Sequence, residues 1–354
     1  MAAKEGYIIY IDMDSFFASC ELLRHPDLKE KPFAVVTKSA DKFRGVVQTA
    51  NYSARKFGIH SGMPIMKALQ LYPNLYCIKA DHDYYEEISD EISDMLKSYG
   101  FEIEMVSIDE AAIDTTGLEE SKVVEIAKDI KRKISNELKL PCTIGIAKGK
   151  TFAKMACDSA KPNGFLFIKA DETLDFISYK RVSDIPGVGK KTEEKLANLN
   201  IYYIRDLKNA NVQALVGLLG EYGSKIYNLS NGIDEEKIVS DWVTLSVGRE
   251  KNLNEDTNDT SVIMAKLKEL SNDTADMIKS TKKLYKSITV KVRYFDFNTK
   301  IKTKTLSYYT DSADVLYSEA SELIKPLIED NIMVRRVGVR VSTLMDSSHQ
   351  QKLF

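Results

Sequence analysis

Two kinds of hydrophobic pattern, continuous apolar runs and apolar residues at helical spacing, alternate along the first 170 positions and predict strands and helices in turn. Runs rich in β-branched and aromatic residues predict strands at 7–11, 103–106, 111–113, 143–146 and 165–168. Apolar residues spaced by four predict helices over 82–98 and 119–138, and two shorter helices follow Asp14 and Lys150. This order is typical of a split βαβ, ferredoxin-like sheet, with residues about 25–80 inserted as a subdomain.

The second half of the chain shows two further patterns. Residues 172 to about 235 predict a group of short helices. The remaining positions predict a strand near 244–249, a helix about 261–283, strands 287–295 and 299–307, a helix about 312–328 and a strand 334–342. Pro326 lies inside the last of these helices, where its missing N–H predicts a kink or an early stop. We therefore expect an α+β chain of more than one domain.

Two of the predicted strands end in carboxylates, which are depleted in strands and costly to bury unless they are paired or bound to a metal. The first strand runs into Asp12 and Asp14, and Asp109 and Glu110 lie side by side between two apolar runs. Hard divalent cations such as Mg²⁺ bind carboxylates together with substrate phosphates, so the pattern predicts one shared metal site. Neighbours in a regular strand point to opposite faces, so Asp109 and Glu110 can share an ion only if the strand breaks or turns there.

Two places in this half of the chain are candidates for binding phosphate. Tyr52 and Arg55 lie three residues apart in the inserted segment, so on a helix they project from one side. A phenol beside a guanidinium makes a triphosphate clamp, and the alternative is a surface arginine beside a half-buried tyrosine. Lys161 comes at the end of the fourth helix, just before a Pro-Asn-Gly turn signal. Such a lysine either compensates the helix dipole or reaches a phosphate near the carboxylates.

A glycine-rich stretch at 182–192 predicts a helix-hairpin-helix motif that binds the DNA backbone. Gly187 and Gly189 let the loop approach a phosphate, and the helix that starts at Lys190 presents free N–H groups and the positive end of its dipole. A P-loop is excluded because Lys190 is followed by Lys191 rather than by Ser or Thr. The alternative is an ordinary glycine-rich connection between helices.

The last predicted domain carries a concentrated positive charge. Between 279 and 304 there are nine basic residues and one acid, Asp296, in a chain whose net charge is −2. On the predicted strands the bases alternate with apolar residues, and they are Lys291, Arg293, Lys300, Lys302, Lys304, Arg336 and Arg340. We expect one sheet face to pack on helices and the other to carry these cations as a surface that follows DNA phosphates. The alternative is a solvated charged face.

Composition narrows the class of protein. The 354 residues are 44% hydrophobic and 29% charged, which suits two or more domains. Four scattered cysteines without a C-x-x-C pair and four histidines give no zinc spacing. The sequence shows no signal peptide and no apolar run that would span a membrane, so we expect a cytoplasmic protein with reduced thiols and no membrane partner.

Four stretches, in this order, closely resemble the Y-family translesion DNA polymerases, and best their DinB (polymerase IV/kappa) branch: IDMDSFFA (11–18), TANYSARK (49–56), SIDEA (107–111) and AKPNG (160–164). The resemblance covers essentially the whole chain. It implies a right-hand polymerase with a ferredoxin-like palm and a separate α/β little finger. Its parts would be the palm at 1–24 and 81–171, the fingers at 25–80, a helical thumb at 172–232, a linker at 233–243, the little finger at 244–345 and a tail at 346–354.

The resemblance also implies an activity and a set of site residues. The enzyme would add dNTPs to a primer 3′-OH on primer–template DNA, at low fidelity and past damaged bases, and would act as a monomer. Two Mg²⁺ ions would be held by the carboxylates of Asp12, Asp109 and Glu110 and by the backbone carbonyl of Met13. The nucleotide would contact Phe16, Phe17, Tyr52, Arg55 and Lys161, with Phe17 as the steric gate that excludes a ribose 2′-OH.

Several alternatives stay open at this stage. Asp14 is interpreted as a cap of the following helix, and Phe17 is alternatively a second core aromatic beside Phe16. Residues 350–354, Gln-Gln-Lys-Leu-Phe, resemble a peptide that binds a sliding clamp, and the alternative is a disordered tail. A nucleotidyl cyclase would share the sheet and the carboxylates but would need neither the glycine-rich hairpin nor a basic second sheet. A DNA-binding scaffold with an inactive site is not favoured, because all three carboxylates are present.

Overall fold

The computed structural model describes residues 6–37, 45–240, 243–328 and 332–347. The chain divides into two compact units, Met1–Asp241 and Trp242–Phe354. The sequence at 350–354 that is predicted to bind a clamp lies outside the described residues. None of the helices in the described part of the chain is long and apolar enough to cross a membrane.

The first unit begins with alternating strands and helices, in the predicted order. Its elements up to residue 167 are β1 (Tyr7–Met13), α1 (Phe16–Arg24), β2 (Phe33–Val36), β3 (Val47–Ala50), α2 (Tyr52–Arg55), α3 (Ile65–Leu71), β4 (Tyr76–Lys79), α4 (His82–Lys97), β5 (Glu102–Met105), β6 (Glu110–Asp114), α5 (Glu120–Lys133), β7 (Cys142–Lys148), α6 (Lys150–Ala160) and β8 (Phe165–Phe167). The helix predicted over 119–138 is α5 followed by a π-helical turn, Ile134–Leu138.

The central sheet of this unit has the strand order β5-β6-β1-β7-β8. β7 and β8 are parallel, and the other neighbours are antiparallel. Ile9 and Ile11 of β1 pack with α4 and α5, whereas Ile8 and Tyr10 pack with α6 on the opposite face. A strand buried on both faces reads as a continuous apolar run, which is why 7–11 lacks polar alternation. With α4 and α5 on one face of this strand order, the predicted ferredoxin-like sheet is confirmed.

The segment between α1 and α4 forms a small sheet of its own. Its strand order is β3-β2-β4, with β2 and β4 parallel, and α2 and α3 pack on it around Ala54 and Ile65. Asn51 starts α2 as its N-cap, because its side-chain oxygen accepts hydrogen bonds from the N–H groups of Ala54 at 2.9 Å and Phe33 at 3.1 Å. This cap fixes where Tyr52 and Arg55 lie relative to the central sheet.

Short helices follow the central sheet, as the pattern after residue 172 predicted. They are α7 (Thr173–Ser178), α8 (Lys190–Ala197), α9 (Ile204–Lys208), α10 (Val212–Leu219) and α11 (Glu221–Ser230). The segment after α11 then returns to the start of α6. The carboxylate of Asp234 accepts hydrogen bonds from the backbone N–H of Thr151 at 2.5 Å and from its hydroxyl at 3.1 Å. The close contact between Asp234 and the start of α6 requires a glycine at position 149, because a Cβ there would lie 2.6 Å from Cβ of Asp234.

The second unit is a four-stranded antiparallel sheet with two helices on one face. Its elements are β9 (Ser246–Thr257), α12 (Thr260–Ser280), β10 (Lys283–Tyr294), β11 (Thr299–Thr310), α13 (Ala313–Ile328) and β12 (Val334–Asp346), and the strand order is β11-β10-β12-β9. α13 contains Pro326 and is helical as far as Ile328, so the helix does not stop at the proline. Ile288, Val290 and Val292 of β10 are fully buried against the helices.

The cations of this sheet do not share one face, and the prediction that they do is wrong for three of them. Lys300, Lys302 and Lys304 of β11 lie directly opposite Val292, Val290 and Ile288. Opposed residues of antiparallel strands project to the same face, so the three lysines lie on the helix-covered side of the sheet. β11 is an edge strand, and the three lysines are exposed on it, with Lys304 reaching Glu319 of α13 at 2.6 Å.

The other four cations do lie on the face that the helices leave uncovered. Arg336 lies opposite Arg293, and Arg340 lies opposite Thr289, which has the same orientation as Lys291 and Arg293. Glu250 of β9 partly neutralises this positive charge, because its carboxylate lies 2.9 Å from Nζ of Lys291 and 3.7 Å from the guanidinium of Arg336. We call the face that carries Lys291, Arg293, Arg336 and Arg340 the open face.

Candidate active site

The register of two strands brings the first pair of acids together. β1 and β6 are antiparallel, with Asp12 directly opposite Glu110, so both side chains project toward α6. The backbone N–H groups of Val106 and Ser107 both donate to the carbonyl of Glu110, at 2.9 and 3.2 Å. Residues 107–109 therefore form a turn between β5 and β6, and the break in the strand that a shared site requires is present.

Asp109 lies in that turn, next to the end of β1. Its carbonyl accepts a hydrogen bond from the N–H of Met13 at 2.9 Å, and its carboxylate accepts one from the hydroxyl of Ser107 at 2.7 Å. The backbone bond places Asp109 beside the strand end that carries Asp12. The three acids singled out from the sequence are thus held by one turn and one strand pair.

Two lysines contact Asp12, and one of them also contacts Glu110. Nζ of Lys154, on α6, lies 3.0 Å from Asp12, 2.7 Å from Glu110 and 3.1 Å from Asp158. Nζ of Lys161 lies 2.6 Å from the same oxygen of Asp12. Lys161 therefore binds a carboxylate in this structure, where the sequence left a choice between a helix dipole and a phosphate.

Burial and these lysines act on the pKa values in opposite directions. Burial raises the pKa of Asp12 to about 6, although Lys154 and Lys161 oppose the shift. Burial also disfavours ionisation of Glu110, but hydrogen bonds from Lys154 and Tyr10 outweigh it and lower the pKa of that carboxyl. The Tyr10 hydroxyl lies 2.5 Å from Glu110. Burial alone would lower the pKa of Lys154, yet the carboxylates of Asp12 and Glu110 raise it, so its ammonium group stays charged.

A cavity of about 310 Å³ lies over the acids. Its lining includes every residue that was singled out from the sequence as a metal, nucleotide or gate residue: Asp12, Met13, Phe16, Phe17, Tyr52, Arg55, Asp109, Glu110 and Lys161. These residues come from four separated stretches of the chain, which the fold brings to one place. Gln48, Thr49 and Ser61 of the inserted subdomain complete one side of the wall.

On the side of the inserted subdomain, Tyr52 and Arg55 contact each other as the helical spacing predicts. The guanidinium of Arg55 lies 4.8 Å from the centre of the Tyr52 ring, and its Nε donates to the carbonyl of Ala50 at 2.9 Å. The Tyr52 hydroxyl donates to Asp14 at 3.3 Å. The hydrogen bonds to Ala50 and Asp14 therefore hold the two side chains in place. The two terminal nitrogens of the Arg55 guanidinium can then bind a ligand in the cavity.

The two adjacent phenylalanines of α1 have different surroundings. The ring of Phe16 is 2% exposed and belongs to the core under the sheet. The ring of Phe17 is half-buried, lines the cavity and stacks on Tyr85 with centroids 4.4 Å apart. His82 packs edge-on against Phe17 at 5.6 Å. Phe17 is thus a braced ring in the wall of the cavity, whereas Phe16 is a core residue.

Asp14 does not cap α1, so that prediction is wrong. Ser15 occupies the N-cap position, in a left-handed conformation with φ 48°, and no side chain caps the helix. The buried carboxylate of Asp14 instead accepts hydrogen bonds from the hydroxyl of Thr143 at 2.9 Å and the N–H of Asn163 at 2.7 Å, besides that of Tyr52. Asp14 therefore joins β7, the loop that carries Lys161 and the inserted subdomain.

Lys154 contacts two acids of the site, and the sequence analysis did not single it out. It lies in a helix whose neighbouring residues Phe152, Ala153, Met155 and Ala156 are buried. A lysine inside such an apolar stretch needs an acidic partner, and this was the available signal. The partners themselves are far away in sequence, so no local pattern named them.

The glycine-rich hairpin has the expected local form. Gly187 has a φ of 92°, which favours glycine, and the hydroxyl of Tyr222 supports the loop by donating to the carbonyl of Pro186 at 3.0 Å. Gly189 precedes α8, whose first residue is Lys190, and no atom lies within 4 Å of where a Cβ at Gly189 would be. The loop directly before α8 therefore has free space on the side of Gly189.

The carboxylates are suited to a hard cation, although they are not gathered around one point. Within residues 6–37, 45–240, 243–328 and 332–347, no three His, Cys, Asp or Glu side chains converge as metal ligands do. The ammonium group of Lys154 lies between Asp12 and Glu110 instead, and the carboxylate of Asp109 accepts a hydrogen bond from Ser107. Three carboxylates beside one cavity are nevertheless a donor set that fits Mg²⁺ or Mn²⁺.

Comparisons with known proteins agree along nearly the whole chain. Residues 11–158 match the impB/mucB/samB family, 244–353 match the C-terminal domain of that family, and 183–234 match the thumb domain of DNA polymerase-iota. A DNA polymerase IV of Methanoculleus marisnigri is 37% identical over 346 residues, which cover 97% of this chain and 96% of the relative. A DNA polymerase IV of Staphylococcus epidermidis is 36% identical over 345 residues, with coverage of 97% and 96%.

Solved structures of polymerases are also similar to this chain over nearly its whole length. A Y-family DNA polymerase chimera of Dbh and Dpo4 superposes with a TM-score of 0.90 at 31% identity and covers 96% of this chain and 99% of its own. An insertion ternary complex of the Dbh DNA polymerase has a TM-score of 0.66 at 31% identity, with coverage of 96% and 99%.

Asp14→Ala tests the role found for this carboxylate. The substitution removes the acceptor of three hydrogen bonds and leaves two donors unpaired, the buried hydroxyl of Thr143 and the partly buried N–H of Asn163. Each unpaired donor costs about 1–3 kcal/mol, so we expect the free energy of unfolding to fall by about 3 kcal/mol in urea titrations followed by circular dichroism. Asp14→Asn keeps one acceptor oxygen and should lose less. Equal stability of the Ala variant and the wild type would contradict the assignment.

Proposed function

This chain belongs to the Y family of DNA polymerases, on its DinB (polymerase IV) branch, and we propose that its reaction takes place in the cavity beside Asp12, Asp109 and Glu110. It is a template-directed translesion DNA polymerase and a metal-dependent nucleotidyltransferase that acts on DNA and deoxynucleotides. The alternatives of a cyclase and of an inactive scaffold are therefore wrong. The observation that carries the proposal is that all nine residues expected at the active site line one cavity.

We assign the metal site to the carboxylates of Asp12, Asp109 and Glu110 and the carbonyl of Met13, and the metal to two Mg²⁺ ions. The chemistry that such ions supply is a lowered pKa of the primer 3′-OH and neutralisation of the triphosphate and pyrophosphate charge. Two observations support the fit. The donors are hard oxygens beside a cavity, and the cations that now neutralise them are lysine side chains, which an ion of higher charge can displace.

The triphosphate is proposed to lie between Tyr52 and Arg55 on one side and Lys161 on the other. Arg55 offers a planar fork of donors, and Lys161 a point charge that is only 30% exposed. Phe16 and Phe17 open α1, and the N–H groups of a first helical turn have no partner within the helix. We therefore assign the nucleotide contact of Phe16 to its backbone, since its ring is buried in the core.

DNA is proposed to bind at two further places. Gly187, Gly189 and Lys190 of the hairpin offer backbone N–H groups and a cation to a phosphate. The open face of the second unit offers Lys291, Arg293, Arg336 and Arg340. In this proposal the enzyme is a cytoplasmic monomer, its parts are the palm, fingers, thumb, linker and little finger given above, and its tail binds a sliding clamp.

Asp109→Ala and Glu110→Ala test the metal assignment. Loss of one ligand removes several kcal/mol of charge stabilisation, so we expect primer extension with Mg²⁺ and dNTPs to fall at least about a thousandfold. The affinity for primer–template DNA should stay nearly unchanged, because the carboxylates do not hold the duplex. Asp94→Ala, which removes a carboxylate that is 79% exposed on α4, is the control and should extend primers normally. Extension by Asp109→Ala near the wild-type rate would refute the assignment.

Phe17→Ala tests the sugar gate. A phenyl ring discriminates against a 2′-OH by sterics alone, because it has no group that pairs with a hydroxyl. We expect the rCTP/dCTP efficiency ratio for single insertion opposite template G to rise by more than about tenfold, equivalent to 1.4 kcal/mol. Phe57→Ala removes an aromatic ring that is 44% exposed and should leave the ratio unchanged. A change within about threefold, less than 0.7 kcal/mol, would make Phe17 a packing residue.

The two faces of the second sheet provide a matched pair of charge variants. Replacing Arg293, Arg336 and Arg340 by Gln removes three charges from the open face, and replacing Lys300, Lys302 and Lys304 by Gln removes three from the other side. Each lost phosphate contact reduces the magnitude of the slope of log K against log salt by about 0.9. The slope of the arginine variant should therefore be smaller in magnitude by up to about 2.7. We expect little change for the lysine variant. Equal slopes for the two variants, measured by fluorescence anisotropy, would overturn the choice of face.

A further inference from the structure

Lys154 makes more contacts with the acids of the site than any role derived so far requires. Its ammonium group touches Asp12, Glu110 and Asp158, and its side chain is only 16% exposed. It also lies 5.1 Å from the centre of the Tyr10 ring, so an aromatic face covers one side of the charge. Lys161 by comparison contacts Asp12 and Asp158 but not Glu110.

We propose that Lys154 is a built-in counter-ion of the catalytic carboxylates, which holds Asp12 and Glu110 in place without metal and competes with the incoming divalent cation for them. The inference rests on the proposed function, since it takes both acids as metal ligands. It assigns Lys154 to the tuning of metal affinity, as a positioning residue.

The helix that carries Lys154 is fixed against the sheet. Gly145 of β7 lies so close to α6 that a Cβ there would be 2.2 Å from the carbonyl oxygen of Ala153 and from the N of Cys157. The start of α6 is tied as well, because Thr151 donates to Asp234 and Lys150 donates to the buried Glu104 at 2.7 Å. The backbone of Lys154 therefore has little freedom to withdraw, and its side chain reaches the acids from a set position.

The two acids need a positively charged partner because of their surroundings. Asp12 is 3% exposed, and a buried carboxylate without a partner is strongly disfavoured. Without Lys154, Glu110 would keep the hydroxyl of Tyr10 as a donor, and Asp12 would keep the ammonium group of Lys161. A divalent cation supplies the same neutralisation with twice the charge, so it and the ammonium group exclude each other at these oxygens.

The direct test is a titration of the whole protein with Mn²⁺, without DNA or nucleotide, in which free Mn²⁺ is followed by electron paramagnetic resonance. Lys154→Met keeps the apolar stem and removes the charge, so we expect Mn²⁺ to bind at least about tenfold more tightly. Lys154→Arg keeps the charge and should bind Mn²⁺ like the wild type. Lys180→Met is the matched control, because it removes one charge that contacts the hydroxyl of Ser159 and the ring of Phe176. It should leave the affinity unchanged.

Thermal unfolding gives a second readout that an ordinary structural role would not produce. In EDTA we expect Lys154→Met to have a lower Tm than the wild type, because Asp12 and Glu110 lose their counter-ion. Saturating Mn²⁺ should then raise its Tm by more than it raises that of the wild type, since tighter binding stabilises the folded state further. Lys154→Gln, which keeps a polar group of similar length, gives the same two expectations should the methionine variant fold poorly.

The outcomes separate this inference from the proposed function. If Asp109→Ala and Glu110→Ala bind Mn²⁺ as the wild type does, the metal assignment fails. If both lose Mn²⁺ binding while Lys154→Met and Lys154→Gln bind it no more tightly than the wild type, the metal assignment stands and the counter-ion is overturned.

Discussion

The pairing of β1 with β6 is the constraint on which the site depends. It places Asp12 opposite Glu110 and turns both toward α6, where Lys154 meets them. A slip of one residue would turn Asp12 into the apolar layer that contains Ile9 and Ile11, with no cation to neutralise it. The burial of β1 on both faces prevents such a slip, because every side chain of the strand would have to change surroundings. The hydrophobic core and the chemistry of the site are therefore fixed by the same register.

The pattern of the sequence predicted what is local. Runs of β-branched and aromatic residues located the strands of the first unit, spacings of four located its helices, and carboxylates at strand ends marked the acids that line the cavity. The sequence pattern did not predict on which face of the sheet Lys300 and Lys302 lie. Alternation shows that a strand has two faces, but it does not show which face meets the helices. That choice depends on how β11 pairs with β10. The same limit applies to Asp14, whose cap-like position next to α1 gives no sign of Thr143 and Asn163, more than 120 residues away.

The lysines show a second limit, which concerns charge. A lysine in an apolar helix signals that an acid is near, but Lys154 and Asp12 are 142 positions apart, and their contact exists only after β1 and α6 have packed. Buried ion pairs stabilise a fold weakly, since desolvation offsets most of the attraction. In the counter-ion proposal this cost has a function, because the site exchanges one cation for another. A carboxylate pair packed only by apolar groups would offer no place for an incoming ion, whereas an ion pair already has the shape and the charge that a metal replaces.

The assigned contacts also explain why such a site tolerates damaged templates. Carboxylates and a carbonyl are assigned to the metal, Tyr52, Arg55 and Lys161 to the phosphates, and Phe17 to the sugar. These groups are common to all four deoxynucleotides, and none of the nine residues is assigned to a base edge. The hairpin and the open face likewise offer N–H groups and cations, which bind phosphate and carry no sequence information. Selection of the base is then left to pairing with the template. A lesion that still lets a nucleotide pair leaves every assigned contact intact, so chemistry can proceed where a site that inspects the base pair would stop.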